Sequence, residues 1–136
     1  MLGDKIGQSK GKVTGQRMLP GDDFRFLKME VSLQETGTLL GLDILEVATF
    51  TVFERPGQLY GQGQGYVQAA DGSGAIWNGH GVGQMTGEGL AARYRFSVAF
   101  QADPSGPFAA LNETLVIGEH DVDKDGNTTT ELWEWK

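Results

Sequence analysis

Between residues 59 and 89 the chain reads LYGQGQGYVQAADGSGAIWNGHGVGQMTGEG, and glycine returns at every second position in two blocks: Gly61, Gly63, Gly65 and Gly79, Gly81, Gly83. A period of two is that of an extended strand, whose side chains alternate between opposite faces. Asp71-Gly72-Ser73-Gly74 lies between the blocks and supplies turn chemistry. The stretch predicts a β-hairpin in which both strands show one face nearly stripped of side chains. Such a face must either lie against bulk from its neighbours or stay open as a cavity.

The same period runs through the rest of the chain. Residues 5–19 set Gly7, Ser9, Gly11, Val13 and Gly15 against polar residues, and residues 24–40 set Leu27, Met29, Val31 and Leu33 against Lys28, Glu30, Ser32 and Gln34. Residues 42–55 are apolar on both faces, with Ala48, Phe50 and Val52 on one and Leu45, Val47 and Phe53 on the other. That pattern predicts cover on both sides, by the core and by a second copy of the chain, so a homo-oligomer. Residues 90–103 point Leu90, Ala92, Tyr94, Phe96, Val98 and Phe100 inward, residues 108–122 point Leu111, Leu115 and Ile117 inward, and residues 128–136 form the last strand.

Pro20-Gly21, Gly41, Pro56-Gly57, Pro104 to Pro107 and Asp125-Gly126 punctuate these runs. No stretch carries a helical period. About eight sequential strands predict an all-β fold: a single antiparallel eight-stranded up-and-down β-barrel occupying residues 1–136 as one domain. Closure also removes exposed sheet edges. A two-sheet sandwich is the competing arrangement, and long sequential strands favour the barrel.

Charge and composition narrow the partners. A net charge of -7 and a pI near 4.7 provide no basic surface for phosphates or for an anionic membrane, so neither nucleic acid nor membrane is expected. The absence of cysteine removes disulfides, thiolate metal sites and thiol nucleophiles. No apolar run approaches ~20 residues and the first residues carry no apolar leader core, from which a cytoplasmic protein is expected.

The glycine faces allow two readings that partly coexist. In the steric one, large residues lie across the glycines and let strands coil tightly. In the other, the glycines hollow out a pocket whose ligand-contacting walls are Trp77, Tyr94, Phe96, Trp133 and Trp135. If Glu46 or Glu113 turns into an apolar interior, its pKa rises and it becomes a candidate general base. No cofactor is implied.

Other motifs carry less. Asp121-Val122-Asp123-Lys124-Asp125-Gly126 copies the start of a calcium loop, but position twelve is Leu132 and both flanks read as strand, so it predicts a hairpin turn. His80 and His120 are the only histidines, which excludes a three-histidine zinc site, and no metal is expected. His80 is expected on the outer face; for His120, beside Glu119 and Asp121, a surface ion pair and general-base work fit equally well. The Gly61–Gly65 alternation does not break a strand to open a helix, as a phosphate cradle requires, and no serine lies in a Gly-x-Ser-x-Gly turn.

Five segments together carry a likeness: Gly11-Lys12-Val13-Thr14-Gly15, Gly37-Thr38-Leu39-Leu40-Gly41, Leu59-Tyr60-Gly61-Gln62-Gly63-Gln64-Gly65, Trp77-Asn78-Gly79-His80-Gly81-Val82-Gly83 and Leu132-Trp133-Glu134-Trp135-Lys136. They resemble an uncharacterised bacterial family of small β-barrels, grouped by shape with allene oxide cyclase and more loosely with dirigent and lipocalin-like barrels. The resemblance implies an eight-stranded barrel; none of the cyclase's catalytic residues matches a position here. The expected function is binding of a small apolar or aromatic molecule. An isomerase or cyclase acting inside the barrel, and a solidly filled structural barrel, are the alternatives.

Overall fold

The computed structural model describes residues 1–136. Eight strands follow one another: β1 (Leu2–Met18), β2 (Lys28–Leu39), β3 (Leu42–Arg55), β4 (Gln58–Ala69), β5 (Gly74–Met85), β6 (Ala92–Ala102), β7 (Leu115–Val122) and β8 (Asn127–Trp135). Each pairs antiparallel with the next, and β8 pairs back on β1 to close an up-and-down barrel. No helix is long and apolar enough to cross a membrane. The only helical element is a short 3₁₀ turn, Ala109–Glu113.

Alternation along each strand sorts side chains into an inner and an outer set. Val31, Leu33, Glu35 and Leu39 of β2, Ile44, Ala48 and Val52 of β3, and Val98 and Phe100 of β6 are buried. Most of the buried apolar residues gather into two clusters inside the barrel. One gathers Leu39, Ile44, Val67, Phe100, Phe108 and Val116 with their neighbours, and the other gathers Val31, Val52, Leu59 and Ala92. Along β3 the order Ile44, Glu46, Ala48, Phe50, Val52 passes from the first cluster to the second. Glu46 therefore stands at the level between them.

The glycine ladders explain why the interior accommodates aromatics. A Cβ on Gly65 would lie 2.5 Å from the Trp77 ring, one on Gly83 2.5 Å from the Tyr94 ring, and one on Gly81 2.6 Å from Cβ of Phe96. Real atoms do not approach so closely, so each glycine marks where an aromatic from the adjoining strand crosses it.

Several expectations change in this frame. The seventh strand starts at Leu115, because the Pro-rich loop runs into the 3₁₀ turn; at about three residues per turn, Phe108 and Leu111 fall on one side and plug the barrel end. The inner residues of β7 are consequently Val116, Gly118, His120 and Val122, while Leu115 faces out. Phe24 is fully exposed and Leu27 is 54% exposed, since both precede β2. A bulge between Val13 and Gly15 reverses the alternation of β1, so Gly15 pairs with outward Ser32 and leaves the inner face.

Candidate functional site

Between the two apolar clusters lies a cavity of about 100 Å³. Its wall divides into two arcs. Phe50 of β3, Trp77 of β5, and Tyr94 and Phe96 of β6 present aromatic surface. Ser9 of β1, Glu35 of β2, Glu46 of β3, His120 of β7 and Thr130 of β8 present polar groups, so five strands contiguous around the closed sheet share the polar arc.

Glu35 is 1% exposed and is held by hydroxyls. Ser9 Oγ donates to it at 2.9 Å, Thr128 Oγ1 at 2.6 Å, and Thr130 Oγ1 at 2.8 and 3.1 Å to its two oxygens. Glu46 stands directly across the β2–β3 ladder from Glu35 and accepts one bond, 3.0 Å from Trp77 Nε1. Burial pushes the Glu46 carboxyl up to about 7 and the nearby Glu35 carboxylate pushes the same way, with the Trp77 N–H pulling against both. No ion pair of the structure involves either carboxylate.

His120 completes the arc. Its Nδ1 lies 2.7 Å from Thr130 Oγ1. The threonine hydroxyl has one proton and gives it to Glu35, so it accepts from Nδ1–H. Burial lowers the His120 pKa and keeps the ring neutral, although Glu35 and then Asp121 oppose this. The hydrogen-bond network thus assigns the proton to Nδ1 and leaves Nε2 as a bare acceptor. Nε2 is buried and has no partner. The rings of Phe50 and Tyr94 flank the imidazole at centroid distances of 6.0 and 6.2 Å. Burial also pushes the Tyr94 phenol up to about 12.

Of the expected site residues, Trp77, Tyr94, Phe96 and Glu46 meet around this cavity. Trp133 and Trp135 do not. Thr128, Thr130 and Leu132 are the inner residues of β8, so alternation turns both tryptophans out, with Trp133 beside Ile117 and Trp135 51% exposed. Glu113 ends the 3₁₀ turn and is exposed, so it does not meet the condition that made it a candidate base. His120 is buried instead of ion-paired; its neighbours Asp121 and Glu119 take those bonds, to Arg93 and Arg95 on the outer face. His80 is exposed as expected. The Asp121–Gly126 stretch ends β7 and turns on Gly126 (φ 84°), with Asp123 bound to Asn127.

Glu35 and Thr130 went unread in the sequence, yet each had a signal. Glu35 continues the odd-numbered apolar run Val31, Leu33, and Thr130 shares the parity of Leu132.

No protein-family model matches the chain, and no curated protein matches it by sequence. Solved structures share its fold across almost the whole length. A protein of unknown function from Clostridium acetobutylicum ATCC 824 superposes with a TM-score of 0.81 at 10% identity, covering 98% of each chain. A conserved protein of unknown function from Rhodopseudomonas palustris gives 0.78 at 11% identity, over 98% of this chain and 97% of that one. A β-barrel-like protein from Acinetobacter baumannii AYE gives 0.80 at 12% identity, over 100% and 96%. At such identities the likeness is one of fold.

Proposed function

We propose that this barrel is a small-molecule binding protein whose ligand sits between the aromatic and polar arcs. The observation that carries the reading is the buried, unpartnered Nε2 of His120 on the wall of a cavity. A buried acceptor without a partner costs roughly 1–3 kcal/mol, and a ligand donor would relieve that cost. The volume sets the scale: a cavity of ~150 Å³ holds benzene, so about 100 Å³ suits something slightly smaller. The grouping with allene oxide cyclase-like barrels rests on shape and glycine spacing, and no activity is carried over from it.

Indole N–H resonances test this directly. Trp77 lines the cavity, whereas Trp133 and Trp135 face out. Titration with small alcohols, phenols and amines should move the Trp77 signal and leave the other two in place. Three unmoved indoles across the whole set would refute the reading.

A proton-transfer isomerase or cyclase is the second reading. It is favoured by the Glu35–Thr130–His120 chain, which orients a neutral imidazole with its basic nitrogen free. Turnover of a ligand found by the titration, reduced in His120→Gln far more than its binding is weakened, would separate it from simple binding.

We also propose that copies associate through the outer face of β3 and its neighbours. Val47, Tyr66 and Ile76 follow one another across β3, β4 and β5 and are 45%, 41% and 53% exposed. Phe50 takes no part, because it turns into the cavity.

A further inference from the structure

The barrel buries acceptors and supplies no positive charge to meet them. Glu35 and Glu46 face each other across one ladder, and neither forms an ion pair. None of the residues lining the cavity is a lysine or an arginine. The oxygens of Glu35 are taken up by Ser9, Thr128 and Thr130, whereas Glu46 accepts from Trp77 alone. His120 Nε2 is a second acceptor with no partner. No group of three histidine or carboxylate side chains is placed to hold a metal ion.

We infer that the cavity takes a small organic cation, a protonated amine on a short branched or cyclic hydrocarbon, with Glu46 as its counter-charge and His120 Nε2 as a further acceptor. This rests on the reading of the barrel as a binding protein and names the ligand class. An ammonium offers three donors and no acceptor, which matches a wall of acceptors. Phe50, Tyr94, Phe96 and Trp77 line the same cavity, and aromatic rings attract cations. Pairing a buried carboxylate removes the penalty of an isolated charge. The net charge of -7 draws cations toward the molecule from a distance. The same net charge disfavours an anionic ligand.

The groups that bear on Glu46 are few. Glu35 faces it from β2, Val67 from β4 and the Trp77 N–H from β5, while the neutral His120 lies on the polar arc. With the Glu46 carboxyl held near 7, the site is a carboxylate above neutrality and a neutral acid below. Amine affinity should therefore rise with pH, and the affinity of a neutral ligand should not.

Isobutylamine, isobutanol and isobutyrate compare a cation, a neutral molecule and an anion of one size. Their binding is read at the Trp77 indole from about pH 5.5 to about pH 8. At the upper value the amine should bind at least about tenfold more tightly than the alcohol, and isobutyrate should not bind. Glu46→Gln keeps an acceptor for Trp77 and should bring the amine down to the affinity of the alcohol measured on the same variant. If the wild type holds isobutanol as tightly as the amine, the cation assignment is overturned and the binding reading stands. An amine preference that survives Glu46→Gln overturns Glu46 as the counter-charge. If none of the three moves Trp77, and no member of the wider alcohol, phenol and amine set does, both readings fall together.

Discussion

Glu35 and Glu46 are cross-strand partners on the inner face of β2 and β3. Like charges directly opposite in a ladder repel, and here Glu35 is buried and Glu46 half-buried. The structure resolves the conflict by giving the two carboxyls unlike surroundings. Glu35 accepts from three hydroxyls. Glu46 has one N–H and a pKa pushed up to about 7, so it keeps a proton that an exposed carboxyl would lose. Paired carboxyls divided in this way take separate roles, Glu35 tied into the hydroxyl network and Glu46 left as the group whose proton is held to higher pH.

Stability should carry the mark of that proton. The folded-state pKa of Glu46 lies above its ordinary value of 4.5, so the folded chain binds more protons than the unfolded one between about 4.5 and 7. Stability from this group is present at low pH and is lost as pH rises through that window, by roughly 3 kcal/mol in all. His120 acts in the opposite sense, because its lowered pKa makes stability fall as pH drops below 6.5. Comparing wild type with Glu46→Gln cancels the histidine. Urea denaturation should show the variant gaining on the wild type as pH rises from about 4.5 to about 8. A constant difference would contradict the buried-acid assignment.

Thr130→Val removes the hydroxyl that links Glu35 to His120. Shape is nearly kept, but a buried charge loses a donor and Nδ1 loses its acceptor. The expected loss is about 2–4 kcal/mol, with the hydrogen bond to a charged group the larger part. Long-range ¹H–¹⁵N spectra of His120 should show a protonated Nδ1 in the wild type and a mixed tautomer in the variant.

Two neighbouring glycines should respond differently to alanine. At Gly65 the new methyl would lie 2.5 Å from the Trp77 ring, so the indole must move and its bond to Glu46 is broken. Overpacking of this kind costs about 1–3 kcal/mol. At Gly61, which lines the cavity, the nearest atom is 3.8 Å away. Gly61→Ala should leave the melting temperature nearly unchanged while shrinking the cavity, so that isobutylamine binding weakens without loss of fold.

Residues on the outer face should be silent in binding. Trp133→Phe, Trp135→Phe and Glu113→Gln should each leave the amine titration as in the wild type, whereas Trp77→Phe, followed by calorimetry, should bind isobutylamine more weakly. Acrylamide should quench Trp135 fluorescence readily and Trp77 poorly, in chains that retain one tryptophan at a time.

Self-association has its own test. Val47→Glu places a charge in the exposed Val47–Tyr66–Ile76 row and should shift the sedimentation coefficient to that of a monomer. An unchanged assembly, or a monomeric wild type, would remove this face from consideration.

The sequence disclosed much of the cavity wall through strand parity. Tyr94 and Phe96 fell on the inner face because they share parity with Val98 and Phe100, and Trp77 because it shares parity with Gly79 and Gly81. Parity failed where both faces looked alike. Leu115 and Ile117 are as apolar as Val116, and the eight-residue strand holds Gly118 and His120 among its inward residues, so hydrophobicity pointed to the wrong side. Trp133 and Trp135 misled for a related reason: a large apolar ring was assigned to the interior, yet the interior of β8 was taken by threonines that bind Glu35.

Local alternation and turn chemistry therefore determined, within the sequence, that this chain makes eight antiparallel strands with glycines set against aromatics. Both are properties of neighbouring residues, and they survive without knowledge of what the strand packs on. The tertiary structure alone decided the chemistry. Ser9 meets Glu35 across 26 positions because β1 pairs with β2, and Thr130 meets it across 95 only because β8 closes on β1. The raised pKa of Glu46 likewise exists only once the closed barrel excludes water and sets Glu35 beside it. Desolvation and charge proximity depend on distances in space, and those are fixed by closure of the sheet.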